Sequence, residues 1–438
     1  MRDLRDYIRL LERRGWVERV TDPVSTAYEI PAILKRYDGK RAVTFTKVKG
    51  YETVVYGNLC CRRNFIAAGL GVQPRQLAGK IMNAMNSPVK PRICRDGPSQ
   101  EMRIESVDLT RDLPVLTHYE LDKGPYITGG IVVAKDPETR RPNASYHRMM
   151  AIGRNRLVAR LVEGRDLHRF YSASRARGKP LEAAVVLGAP LELLIAAATS
   201  PGELSEFDVA GGLSNTPLEL LRCISINVDV PRHAEIILEG RFLLDQIMEG
   251  PFVDITGTYD VVREQPVFEV STMTRRKDAF YQAILPGGQE HLLLMGMPKE
   301  ARILGLVRSV SRVHGVALSR AGSNWLDVAI SIRKTHQYEP FLTGMAALAA
   351  HYSLKRVVVV DEDVDVNDFV AVEKAVLERA HPVGDYLIIR NIKGSSLDKS
   401  GIRPDGGVLP PAKLVVDATV KGERMYFEGA KIRQTRED

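Results

Sequence analysis

A chain of 438 residues is longer than one hydrophobic core sustains, since cores stop growing at roughly 250–300 residues, so its length predicts two to four domains. Hydrophobic residues make up 44% and charged residues 26%, a globular composition that excludes a largely disordered chain. The net charge of +8 suits anionic ligands, although a balance set only for solubility accounts for it equally simply; basic residues alternate with acids, as in Arg13 and Arg14 between Glu12 and Glu18, and no dense basic block carries aromatics, which argues against a nucleic-acid partner.

The first predicted element is a helix with Leu4, Tyr7, Ile8 and Leu11 on one face, Asp3 as its cap and Gly15 as its stop. A second helix is expected over 29–37 with Pro31 in its first turn, then strands over 41–48 and 52–56 around Lys49-Gly50. Up to about residue 100 this alternation reads as a small α/β unit. From 101 to 300 the texture becomes β-rich, with strands expected at 126–134, 149–152, 157–161, 183–187, 222–228, 235–239, 257–262 and 267–273, a pattern of sandwiches and barrels. One helix, 191–198, interrupts it. From 301 to 438 a second α/β unit is expected, with a helix over 339–351, a β-branched strand over 356–360 ending in Asp361-Glu362-Asp363, and a capped helix over 367–379.

Met1-Arg2-Asp3 runs straight into the first helix without a charged and apolar leader, which points to a cytoplasmic protein. The longest apolar runs, 193–198 and 292–297, fall short of the roughly 18 residues that span a bilayer. Cys60, Cys61, Cys94 and Cys223 include no C-x-x-C pair and read as reduced, buried packing residues. Histidines in H-E-x-x-H spacing, a G-x-S-x-G elbow, a G-x-G-x-x-G fingerprint and a P-loop are all missing, which disfavours zinc hydrolase, serine hydrolase and nucleotide-binding readings.

Three polar segments remain as site candidates. Asn143-Ala-Ser-Tyr146-His147-Arg148 precedes an apolar strand; if it is itself a strand, Tyr146 and Arg148 share a face and present a guanidinium fork for a carboxylate or phosphate beside an aromatic ring. The alternative is an arginine in solvent at a strand entrance. Glu206 and Asp208 stand before Gly211-Gly212, oxygen donors suited with Asn143 to a hard divalent cation or, more plainly, helix caps. Glu249 and Asp254 flank a Gly-Pro turn, which brings two acids to one pocket and raises one for general-acid work, unless both are solvated.

Taken in order and spacing, Asn143 with Tyr146 and Arg148, Arg160-Leu-Val-Glu-Gly-Arg165, Leu-Ser-Glu206, Leu-Glu239-Gly and Glu249-Gly-Pro-Phe-Val-Asp254 resemble the UbiD family of decarboxylases. The likeness extends to Asp3-Leu-Arg-Asp-Tyr-Ile8, Arg276-Lys-Asp278-Ala-Phe-Tyr281 and the strand before Asp361, and so covers nearly the whole chain. It implies an N-terminal α/β domain (1–100), a central split β-barrel of flavin-reductase type (101–300) and a C-terminal α/β oligomerisation domain (301–438). It implies prenylated FMN as cofactor, supplied by a flavin prenyltransferase, with contacts at Tyr146, His147, Arg148, Arg160, Leu161, Val162 and Arg165. It further implies a divalent metal, Mn²⁺ or Mg²⁺, on Asn143 and Glu206, with K⁺ nearby. Relatives carry a histidine ligand where this chain has Glu163-Gly164-Arg165-Asp166, so His168, slightly later, is the expected substitute.

By the same resemblance Arg148 orients the substrate carboxylate bidentately, Glu249 supports Arg148, and Asp254 returns a proton to carbon; Arg148→Ala and Asp254→Asn should each abolish turnover with the fold intact. Being short, Arg-rich and lean in cysteine, the chain is similar to compact archaeal members, which implies conversion of trans-anhydromevalonate 5-phosphate to isopentenyl phosphate and CO₂. A polyprenyl-hydroxybenzoate or other aromatic-acid carboxy-lyase is the alternative, and a non-catalytic flavin-binding assembly subunit the alternative of another class. A homo-oligomer, dimer or hexamer, is expected by resemblance only.

Overall fold

The computed structural model describes residues 3–422 apart from 396 and 404–406; Met1 and Arg2, which begin the leader reading, lie outside the described residues. The chain separates into two compact units, 1–298 and 299–438.

In the first unit the opening helix, Leu4–Arg13, starts where the Asp3 carboxylate accepts the Asp6 N–H and stops before Gly15, whose φ is +67°. Its stripe Leu4, Tyr7, Ile8 and Leu11 is buried, as the periodicity required. Helix Glu29–Arg36 follows, and strands Ala42–Phe45 and Val55–Gly57 pair antiparallel within the sheet Val17–Val20, Ala42–Phe45, Val55–Gly57, Tyr281–Ala283. That last strand comes from far along the chain and pairs parallel with Val55–Gly57.

The second sheet has nine strands and is built on two long neighbours, Ile236–Glu249 and Arg263–Arg275. On one side of this pair lie Arg156–Ala159, Met149–Ala151 and Tyr126–Ile127, and on the other Leu181–Leu187, Ile131–Lys135 and Pro142–Tyr146. Met102–Ile104 adds to Arg263–Arg275. Register shifts at Glu239/Gly240 and Phe242/Gln246 interrupt the central ladder, the bulges that let a long sheet bend toward a barrel. Val132, Leu157, Val185, Leu238, Phe242 and Phe268 are buried in the core that this sheet shares with helix Glu29–Arg36.

Several expected strands change. Those at 235–239 and 267–273 are the middles of strands of 14 and 13 residues. Residues 223–228 form a turn between Glu219–Arg222 and Asp229–Pro231, closed by buried Glu239, which accepts the Ile224 N–H (3.0 Å), the Ser225 N–H (2.6 Å) and the Ser225 hydroxyl (2.7 Å). Of 257–262 only Tyr259–Asp260 is strand. Besides Leu191–Ala196, helices Asp166–Ala176 and Glu206–Ser214 occupy this region, and Gln289–Val307 begins before residue 300. Leu191–Ala196 and Glu206–Ser214 are buried on several sides, so no single stripe announces them, whereas Asp166–Ala176 does bury one stripe, Leu167, Phe170, Tyr171 and Ser174. The matching segments at the two ends of this unit meet in one ion network: Arg276 contacts Asp3 at 3.0 Å, and Arg5 contacts Asp278 and Glu235, both at 2.7 Å.

The second unit is a five-stranded sheet in the order Val313–Leu318, Asp327–Ile332, Arg356–Asp361, Ala412–Ala418, Tyr386–Arg390, with helices Glu339–Ala350 and Phe369–Arg379. Asp368 caps the latter, so the expected helix at 367–379 starts two residues late. Among the described residues no helix is long and apolar enough to cross a membrane. Cys60, Cys61 and Cys223 are buried, whereas Cys94 is only half-buried. The α/β fold class read from the sequence is the one observed, with the β-rich centre between mixed segments.

Candidate active site

Strand Pro142–Tyr146 ends before His147, and the next strand begins at Met149. Arg148 therefore sits in a two-residue break and not on a strand face with Tyr146. The two side chains diverge, because the Tyr146 hydroxyl donates to the Leu194 carbonyl (3.1 Å) while Arg148 turns to Glu249. The ring beside the guanidinium is Phe252, 5.0 Å from its Cζ, which itself packs on Tyr126 at 4.2 Å.

Glu249 ends the long strand Ile236–Glu249, and Gly250, at φ +96°, turns the chain so that Phe252–Val253 and Asp254 come back to Arg148. Nε and Nη2 of Arg148 donate to the two Glu249 oxygens, each at 2.9 Å, a bidentate fork. Glu249 is fully buried and also accepts the Tyr126 hydroxyl at 3.1 Å. Asp254 Oδ2 lies 3.8 Å from Nη1, and its side chain is 32% exposed. Burial opposes the charge on Arg148, but Glu249, Asp260 and Asp254 outweigh it and hold the guanidinium more firmly protonated than usual. The three residues expected as a catalytic set are thus brought together.

The same site holds residues that the sequence reading missed. Asp260 accepts the second Nη2 hydrogen of Arg148 at 3.0 Å and is also paired to Arg263 at 2.7 Å. Half-buried His291 feels the charges of Asp254 and Arg148; desolvation lowers its pKa, and its Nδ1 accepts the Gly287 N–H, so a neutral ring with the proton on Nε2 is the consistent tautomer. Buried His118, pushed down to about 3 by desolvation, packs edge-on to Phe252. Asp260 lay in an expected strand, and nothing in local spacing marks His291 or His118.

A second cluster forms on the far side of His147. Nδ1–H of His147 donates to the Arg160 carbonyl at 2.8 Å, tying the strand break to the end of Arg156–Ala159. Desolvation lowers this ring to about 4, so it is neutral and Nε2 is an acceptor. Ser145 Oγ lies 3.0 Å from that Nε2 and 2.9 Å from Asn143 Oδ1, and one hydroxyl proton cannot serve both. Asn143 Nδ2 and the Ala144 N–H donate to the oxygens of Glu206 at 3.1 and 2.9 Å. Glu206 opens helix Glu206–Ser214, which is capped by Ser205 and Asp208, the plainer role left open for Asp208. Gly211 and Gly212 let that helix approach its neighbour, since a Cβ there would meet Val89 O at 2.3 Å or Ala84 O at 2.6 Å.

Glu206 is almost wholly buried, has no Arg or Lys ion pair among the described residues, and is pushed up to about 7 by burial, with the charge of Asp166 adding to the rise. A cluster short of one proton around a buried carboxylate and an amide oxygen fits a hard cation. Among the described residues no three His, Cys, Asp or Glu side chains gather as a metal cage. His168 is not brought to this cluster: it lines a cavity with Glu163, Tyr171, Arg175 and Gln265. Two positions apart on helix Asp166–Ala176, residues 166 and 168 point to nearly opposite sides, and Asp166 is the one tied to Arg141, at 3.4 Å.

Of the expected cofactor contacts, Arg160 pairs with Glu163 at 3.1 Å, Leu161 is buried with its N–H on Gln265 (2.7 Å), Val162 is exposed, and Arg165 precedes helix Asp166–Ala176 with a bond to Ser200 (3.1 Å).

Three family profiles match the chain: the 3-octaprenyl-4-hydroxybenzoate carboxy-lyase N-terminal domain over residues 8–85, its Rift-related domain over 92–289 and its C-terminal domain over 292–418. An anhydromevalonate phosphate decarboxylase of Methanothermobacter thermautotrophicus is 43% identical, covering 91% of this chain and 93% of its own. The UbiD-class enzyme HmfF of Pelotomaculum thermopropionicum, solved with FMN, superposes with a TM-score of 0.93 at 35% identity, covering 98% and 97%. An evolved dimeric form of that enzyme, in complex with prFMN, gives 0.91 at 33% identity, covering 99% and 97%. With nearly the whole length matched by all three profiles and this relative, the chain belongs to the UbiD family of carboxy-lyases.

Proposed function

We propose that the protein decarboxylates trans-anhydromevalonate 5-phosphate to isopentenyl phosphate and CO₂, with prenylated FMN and a divalent cation. The observation that carries this is the Arg148 site, a fork held by buried Glu249 with a more accessible acid across from it, in a chain 43% identical to an anhydromevalonate phosphate decarboxylase. Prenylated FMN, when bound, supplies the electron sink that takes up the pair released as CO₂ departs.

Glu249 holds the guanidinium plane by Nε and Nη2, which leaves Nη1 to receive and orient the substrate carboxylate. The rings of Phe252 and Tyr126 cover this pair and keep water from it. Asp254 Oδ2 then gives its proton to the substrate carbon, and partial exposure lets it regain one from solvent. Neutral His291 adds no competing charge.

We assign the cofactor to the wall around the adjoining strand ends at Arg148 and Arg160, whose backbones are joined by the Arg160 N–H to Arg148 carbonyl bond of 3.1 Å, with Tyr146, Leu161, Val162 and Arg165 as further contacts. Asn143 and Glu206 would hold the cation, with Asp166 in place of His168 as third donor; all-oxygen donors suit Mg²⁺ or Mn²⁺. A cytoplasmic homo-oligomer fed by a flavin prenyltransferase belongs to the same reading, and exposed Val370 and Leu377 on helix Phe369–Arg379 give the C-terminal unit an apolar face for a second copy.

Cofactor-loaded protein incubated with trans-anhydromevalonate 5-phosphate should form isopentenyl phosphate, followed by mass spectrometry, and Asp254→Asn should not. No product from loaded wild-type protein that consumes a hydroxybenzoate instead would overturn the substrate and leave the reaction class standing.

A further inference from the structure

The hydrogens of Arg148 are almost fully committed inside the protein. Its Nε and one Nη2 hydrogen go to Glu249, and the other Nη2 hydrogen goes to Asp260. Among the described residues only Nη1 is left without a hydrogen-bond partner, with Asp254 3.8 Å away. A guanidinium offers a carboxylate two forks, one through Nε and Nη2 and one through Nη1 and Nη2. Glu249 fills the first, and Asp260 sits on the Nη2 arm of the second. A substrate carboxylate cannot bind Arg148 bidentately while Asp260 stays there.

Asp260 has somewhere to go. Its Oδ1 already accepts from Arg263 at 2.7 Å and from the Val261 N–H at 2.9 Å, so the bond of Oδ2 to Arg148 can be released without leaving the carboxylate unpaired. Asp260 also lies on a minimal ladder, Tyr259–Asp260 against Phe252–Val253, whose small number of backbone bonds resists displacement weakly.

We propose that Asp260 is a built-in stand-in for the substrate carboxylate: it occupies the open fork of Arg148 in the substrate-free protein and yields it, falling back on Arg263, when a carboxylate arrives. Asp260 is then a positioning residue that acts through Arg148 and sets carboxylate affinity. The exchange keeps Arg148 paired at every stage and limits the crowding of anions when the substrate enters. It rests on the reading of Arg148 as the carboxylate site.

The test uses the holoenzyme and the saturated analogue of the substrate, 3-methyl-5-(phosphonooxy)pentanoate, which has no double bond to react, titrated by calorimetry. Asp260→Asn keeps the shape and removes the competing charge, so the analogue should bind roughly ten- to hundredfold more tightly, the scale of one charge-assisted hydrogen bond. KM for the reactive substrate should fall with it while kcat does not rise. Arg263→Gln should act in the opposite direction, because Asp260 loses its second partner and holds Arg148 longer; a variant that merely loosens the fold would weaken binding in both cases. Equal or weaker binding in Asp260→Asn, with binding still lost in Arg148→Lys, overturns the stand-in and leaves the Arg148 site intact. Binding that is indifferent to Arg148→Lys overturns the site itself, and the proposal with it.

Discussion

Arg148→Ala is expected to do more than abolish turnover. The substitution deletes both 2.9 Å bonds to Glu249, a carboxylate with no solvent exposure, and leaves it one neutral partner, the Tyr126 hydroxyl at 3.1 Å. Removing one member of a buried ion pair costs about 3–5 kcal/mol, because the survivor stays desolvated without its counter-charge. Against a typical total stability of roughly 5–15 kcal/mol that is a large loss, so the expectation of an intact fold is revised. Arg148→Ala/Glu249→Gln removes the stranded charge and should recover most of it, leaving a deficit of about 1–2 kcal/mol from the lost hydrogen bonds. Urea denaturation of wild type, both single variants and the double variant completes the cycle. If Arg148→Ala is no less stable than the double variant, the buried-charge reasoning is wrong.

Asp254→Asn should retain carboxylate binding within a few-fold, measured by calorimetry with the saturated analogue, yet lose turnover by about a hundredfold or more, the usual scale for a general acid; an active variant would remove Asp254 from that role. Asp166→Ala should lower the metal content of purified protein and alter the electron paramagnetic resonance spectrum of bound Mn²⁺, whereas His168→Ala should change neither, and the reverse result would restore the histidine. Glu290 is fully buried, with the Cys60 N–H on one oxygen at 3.0 Å and, among the described residues, no partner on the other, and desolvation pushes it up to about 8 from an ordinary 4.5. The folded state then binds more protons than the unfolded between these values, so stability falls as pH rises through that window, on the order of 5 kcal/mol in all. Glu290→Gln should flatten that part of the profile in urea melts at pH 5 to 8.5, and an unchanged slope would show that the group ionises freely.

Much of the architecture was legible because it is local. The stripe Leu4, Tyr7, Ile8 and Leu11 with its Asp3 cap, and the run of valines before Asp361, each satisfy one period and one burial demand, and both formed where expected. Helix Glu206–Ser214 was not legible as a helix, because its buried glycine pair answers to close approach of a neighbour and not to a stripe. The length of Ile236–Glu249 and Arg263–Arg275 was hidden as well, since their polar ends are stabilised by each other and not by a buried face.

For the site, the sequence by itself determined which chemical groups are available and in what order: Asn143, Arg148, Glu206, Glu249 and Asp254 stand in the spacing of a known family. Only the tertiary structure decided which of them meet and which partners they already hold. Nothing along the chain places Asp260 on Arg148, or the ring of Phe252 in place of Tyr146 beside it. The physical reason is that hydrogen bonds and charge pairs act over a few ångströms in space and are indifferent to the number of residues between the partners, which for Arg148 and Asp260 is more than a hundred.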